Sequence, residues 1–100
     1  MKLTKEFEPI REWAYEKGIT REGDVKTQLI KLMEEVGELS EATLKEDQAE
    51  VVDAIGDCVV VLTNLATLHG LKIEDAINSA YSIIEQRTGA MSNGTFVKSK

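Results

Sequence analysis

The 100-residue chain has one cysteine, one proline and only 5% aromatic residues. A single thiol makes neither an intramolecular disulfide nor a thiolate zinc site, and Cys58, inside an apolar run, fits a reducing compartment. So few aromatics argue against a stacking platform for single-stranded nucleic acid and leave the core to aliphatic side chains. Positive charge is short as well: 12 basic against 18 acidic residues give a net charge of -6, which disfavours counterion release on a phosphate backbone. Nucleic acid is not an expected partner. There is no strict two-residue alternation, no internal repeat and no low-complexity tract. Thr63 and Asn64 interrupt the longest apolar segment, and the opening MKLTKEFEPIREW has no signal-peptide core, so no membrane contact is expected. The expectation is one cytoplasmic domain over residues 1–100.

What the sequence does contain is helical pattern. The first helix is expected over about residues 5–17, with Ile10, Trp13 and Ala14 on one stripe and Gly18 as its stop; Pro9, tolerable only in a first turn, moves the start towards Glu8. A polar loop, Ile19 to Gly23, leads to Asp24, the N-cap of a second helix that runs to about Lys45. Leu29, Leu32, Met33, Val36, Leu39 and Thr43 follow the three-and-four spacing of its apolar stripe. Gly37 interrupts it at a cost of about 1 kcal/mol relative to alanine, and close packing of a neighbouring helix is the simplest account. The third helix, from about Gln48 to Leu68, is acidic at first and then apolar around most of its circumference, so it needs cover on more than one side. His69-Gly70 closes it, with the histidine read as part of that cap and not as a ligand. The fourth begins near Ile73, points Ala76, Ile77, Ala80, Tyr81 and Ile84 inward and runs to Gly89. Residues 91–100 form a tail or short hairpin arm around Asn93-Gly94. So short a chain buries only roughly 60–65% of its unfolded surface. The expected fold is therefore all-α, an antiparallel bundle of about four helices completed by oligomerisation.

The chemically telling residues are acids. Glu35 and Glu38 on the second helix project within about 60° of each other, and Glu50, Asp53 and Asp57 fall within a similar arc on the third. The short link from Ala42 to Asp47 makes the two helices antiparallel neighbours, so the acidic rows face each other. Converging carboxylates without histidine or cysteine suit a hard cation, Mg²⁺ or Mn²⁺, better than Zn²⁺. The plainer alternative is a solvated face neutralised by Lys31 and Lys45 at helical spacing.

Glu34-Glu35-Val-Gly-Glu38, followed by Glu50-Val-Val-Asp53-Ala-Ile-Gly56-Asp57 and an apolar helix through Asn64, resembles the MazG-like nucleotide pyrophosphohydrolases, over roughly residues 28–88. The family pattern is EExxE followed by ExxD one helical hairpin later. Here the glutamate three residues before Asp57 is replaced by Ala54, which leaves Asp53 as the substitute acid and Glu50 as a peripheral or second-ion ligand. The resemblance implies a homodimer or homotetramer that hydrolyses nucleoside or deoxynucleoside triphosphates to monophosphate and pyrophosphate. Mg²⁺, with Mn²⁺ able to substitute, would be held by Glu35, Glu38, Asp53 and Asp57, and Glu34 or the cation itself would activate the attacking water. Lys31, Arg87 and Asn64 are the candidate substrate contacts, with Lys98, Asn78 and Gln86 as further polar groups. Trp13 or Tyr81 could line a base pocket, although such residues at helical spacing are commonly core. Two rival readings are a non-catalytic dimerisation or regulatory module on the same scaffold and phosphoribosyl-ATP hydrolysis.

Overall fold

Asp24 and Asp47 start the two long helices by the same device, each side chain accepting the amide N–H three residues on, from Thr27 at 2.9 Å and Glu50 at 3.1 Å. In the computed structural model, which describes residues 1–100, these helices are α3 (Val25–Leu44) and α4 (Gln48–Leu68). They are preceded by α1 (Glu8–Glu16) and α2 (Ile19–Glu22) and followed by α5 (Ile73–Ile84) and a two-stranded hairpin, β1 (Gly89–Ser92) and β2 (Thr95–Lys98). The fold is all-α apart from that hairpin.

Two boundaries differ from expectation. Residues 19–22 form a helical turn instead of a loop, because Gly18 at φ +85° ends α1 and its carbonyl then accepts the Glu22 amide at 2.9 Å. The last helix ends at Ile84, five residues short of Gly89: the amides of Gln86 and Arg87 tighten onto Ile83 and Ile84, and Gly89 already pairs with Lys98 in the hairpin. Asn93 and Gly94, both at positive φ, make the two-residue turn between the strands.

The α3–α4 hairpin is the heart of the molecule, and α1, α2 and α5 all pack on α4. This explains why α4, the one helix long and apolar enough to cross a bilayer by length and composition, is so apolar. The Thr63 hydroxyl donates to the Val59 carbonyl within the helix, so it does not interrupt it. On α3 the face turned to α4 carries Val25, Gln28, Leu32, Glu35, Leu39 and Ala42, at three-and-four spacing. Leu29, Ile30, Met33 and Val36 make a second apolar stripe, and it is exposed. Val52, Ile55 and Leu62 repeat the pattern on α4. On α5, Ile77 and Tyr81 are half-buried, whereas Ala76, Ala80 and Ile84 are exposed. Gly37 does not mark a close approach, since a Cβ there would meet no atom within 4 Å.

Its dimensions reflect those uncovered faces. The radius of gyration is 15.8 Å, against about 13 Å for a compact 100-residue domain. The accessible surface is 7454 Å², against roughly 5,650 Å² for a monomer of this mass.

One polar clasp ties the N-terminal segment and α1 to α5. Arg11 of α1 forks onto both carboxylate oxygens of Glu74, at the start of α5, and its Nε also donates to Glu8 at 2.7 Å. Asn78 pins the backbone of Leu3 through both its amide atoms, at 2.8 and 2.9 Å. Glu74 is 1% exposed, and the Arg11 guanidinium holds its carboxyl down at about 2, from an ordinary value of 4.5. The stabilisation is therefore intact above pH 4.5 and fades as the pH falls from there towards 2. Glu74→Gln should lower stability by about 3 kcal/mol and weaken the pH dependence in that window, read by chemical denaturation between neutral and acid pH.

Candidate functional site

Glu35 belongs to the face of α3 that packs on α4, so burial, not choice of solvent, sets its surroundings: it is 6% exposed. Its Oε1 takes the Lys31 ammonium, one turn earlier, at 3.2 Å. Its Oε2 is buried and has no hydrogen-bond partner. A buried, unpaired carboxylate oxygen is costly unless a donor or cation answers it.

Two further carboxylates converge on this point. Glu38, one turn along α3, and Asp57, from the facing turn of α4, each bring an oxygen to Glu35 such that the three lie within 4.8 Å of one another. The electrostatics register the crowding. Glu38 is raised from its ordinary value, first because its protonated form can donate to the adjoining Glu35 carboxylate and then by the charge there. Burial raises Asp57, and Asp53 and Glu35 push it the same way. Lys31 is raised in turn by Glu35. Cys58 lies beside the cluster, but burial raises its thiol, so it offers no thiolate.

The arrangement fits a hard divalent cation. All three donors are carboxylate oxygens, one is orphaned in a buried seam, and oxygens around Mg²⁺ at about 2.1 Å lie no more than about 4.2 Å apart. The exposed Glu38 side chain is free to make that small adjustment.

The other residues singled out from the sequence fall in different places. Asp53 and Glu50 are exposed and do not join the cluster; with Glu38, Glu41, Lys45 and Ala54 they border an adjoining cleft of about 320 Å³. The reason is helical pitch: Asp53 stands one turn before Asp57, so Glu38, between the two, faces both. Ala54 is 4% exposed at the wall of this cleft. Glu34 is exposed and pairs loosely with Lys31 at 3.8 Å. Arg87 is exposed beyond the end of α5 and makes no side-chain bond to the cluster. Asn64, two turns beyond Asp57 on α4, is 3% exposed and its Oδ1 has no partner. Lys45 pairs with Glu41 at 2.8 Å. The Arg11–Glu74 clasp, in contrast, carried no signal in the sequence, because its partners are 63 residues apart on helices with no shared pattern.

Fold and site together define a class: a helical hairpin whose facing turns bring three carboxylate oxygens together, a donor set that suits a hard cation. The family model of the MazG nucleotide pyrophosphohydrolase domain matches residues 24–91, from the cap of α3 into the hairpin, and the chain belongs to that family. A relative in Haemophilus phage HP1, described as an uncharacterized 18.2 kDa protein in the rep-hol intergenic region, is 40% identical over 57 residues. Those residues are 57% of this chain and 35% of that protein, so the match spans about a third of the relative's length. No solved structure matches the chain.

The raised Glu38 and Asp57 carboxyls make their most favourable contribution below their ordinary values of 4.5 and 3.8 and lose it as the pH rises through the raised ones, opposite in sign to the Glu74 clasp. Mg²⁺ should flatten that decline and add about 2.7 kcal/mol at a hundred times its dissociation constant, measured by thermal melts across pH 4–8. Glu35→Gln should remove most of the Mg²⁺ response.

Proposed function

We propose that the chain is a Mg²⁺-dependent pyrophosphohydrolase of nucleoside or deoxynucleoside triphosphates, releasing monophosphate and pyrophosphate. The observation that carries this reading is the convergence of Glu35, Glu38 and Asp57 around a buried, unpaired Oε2, in a chain of the MazG family. In it, Glu35, Glu38 and Asp57 hold the cation, while Asp53 and Glu50 extend the acidic row along the adjoining cleft. Mg²⁺, or Mn²⁺ in its place, supplies the positive charge that neutralises the phosphate oxygens as negative charge develops during transfer. Lys31, already beside Glu35, is the nearest ammonium for a phosphate oxygen. Glu34, exposed on α3 beside Lys31, is the candidate base for the attacking water. The buried free Cys58 suits a reducing cytoplasm, where such triphosphates are found.

We also propose that copies of the chain assemble into a dimer or tetramer. The exposed stripes Leu29–Met33–Val36 and Val52–Ile55–Leu62 need cover, and the accessible surface exceeds that of a compact monomer by about 1,800 Å², more than the ~800 Å² each partner contributes to a standard interface. Sedimentation equilibrium should return two or four times the 11.1 kDa chain mass. A species that stays at 11.1 kDa at tens of micromolar would remove this part of the reading.

Incubation with a panel of triphosphates and Mg²⁺ should yield monophosphate and pyrophosphate, and Glu38→Gln should lower turnover by about 100-fold or more. Turnover unchanged in Glu38→Gln would misplace the site. A non-catalytic module on the same scaffold is the second reading, favoured by Ala54, which removes an acid from the wall of the cleft. Silence across the whole panel, phosphoribosyl-ATP included, beside active controls would decide for it.

A further inference from the structure

Residues 86–100 are a basic arm on an acidic chain. They carry Arg87, Lys98 and Lys100, whereas all 18 acidic residues lie before them. None of these three cations makes an ion pair within the chain. We propose that this arm, built around the β1–β2 hairpin, seats in the acidic α3–α4 cleft of a second copy, so that each cation site takes one of its walls from a neighbouring chain. The inference rests on the assembly proposed above and names a contact that the aliphatic stripes do not provide.

The arm has no berth on its own chain: β1 and β2 contact only each other, and every strand residue is exposed. A lone two-stranded hairpin is marginal in water, so a surface that receives it adds stability. One side of the arm is suited to such a surface. The pairing of Met91 with Phe96 and of Gly89 with Lys98 puts Met91, Phe96 and Lys98 on one face, which joins an exposed apolar pair to an ammonium. The Phe96 ring lies against Gly89, where a Cβ would come within 2.7 Å of it, so that face is set by the hairpin itself. The cleft carries the opposite charge. Glu38, Glu41, Glu50 and Asp53 line it against one ammonium, Lys45, which already pairs with Glu41 at 2.8 Å. Glu50 and Asp53 have no ion pair in their own chain. The free cations and the unpaired acids are thus complementary between copies, and their contact offsets the repulsion of two chains of net charge -6. Because Glu38 belongs to both the cleft and the carboxylate cluster, an arm seated there stands beside the cation site.

Isotopically heavy and light full-length chains, mixed and treated with a carbodiimide, report the contact directly, since the reagent joins an amine to a carboxylate it already touches. Lys98 or Lys100 of one label should be linked to the Glu41, Glu50 or Asp53 peptide of the other. Lys98→Glu should remove the Lys98 link and should raise the dissociation constant of the assembly and lower kcat/KM by about tenfold each, and Glu50→Lys in the same chain should reverse much of the loss of assembly. Co-expressed Glu38→Gln and Lys98→Glu chains should regain about a quarter of wild-type turnover, the share of random pairings that join an intact cluster to an intact arm. Links confined to one label, or running to acids outside the cleft, overturn the proposal, as does an assembly that Lys98→Glu leaves unchanged. Turnover that Lys98→Glu lowers but co-expression does not regain overturns the shared wall. A chain that stays at 11.1 kDa removes the proposal together with the assembly. The expected links on a chain that hydrolyses no triphosphate leave the arm in its place and sink the hydrolase reading alone.

Discussion

A carboxylate placed in the seam between two packed helices has to be answered by positive charge, and Glu35 imposes that constraint on everything around it. It lies on the face of α3 that elsewhere carries Leu32, Leu39 and Ala42, so the packing that holds the hairpin together also strips water from its side chain. Lys31 answers one oxygen and leaves the other buried without a partner. Glu38 and Asp57 then add negative charge where it is already in excess, which shifts both towards their protonated forms. Such a cluster weakens the fold by itself, and under the proposed reading a small divalent ion would relieve that cost, which would couple binding to stability.

The frame around the cluster is rigid on one side and open on the other. Arg11 and Glu74 clamp α1 to the start of α5, and α4 receives contacts from α1, α2, α3 and α5. That leaves α1 as a firm wall beside Asp57, and it is the wall that carries Trp13. The opposite faces of α3 and α4 present aliphatic stripes to solvent, and the β1–β2 hairpin packs on no helix, although an isolated hairpin is marginal in water. These uncovered faces are what the proposed assembly of copies rests on.

Much of this was legible beforehand because it follows from local rules. Asp24 announces its helix by cap chemistry, Asn93-Gly94 announces its turn by positive φ, and the short α3–α4 link makes the hairpin antiparallel. What spacing could not resolve was depth. The row Glu50–Asp53–Asp57 shares one arc on a helical wheel, yet Asp57 is half-buried at the cluster while Glu50 and Asp53 are exposed at the neighbouring cleft. The expected apolar stripe of α3 was likewise two stripes, only one of which meets α4. Helical period gives an azimuth, and the crossing of two helices determines how far along that azimuth contact extends.

By itself the sequence determined the helices, their caps, their antiparallel pairing and the presence of two acidic rows, all of which depend on neighbours within a turn or a short loop. Tertiary structure alone decided which three carboxylates meet, that one of Glu35's oxygens is left without a partner, that Arg11 finds Glu74 across the chain, and that Trp13 stands beside Asp57. Those outcomes rest on how helices far apart in sequence settle against α4, and residues separated by tens of positions leave no local signature of the contacts they will make.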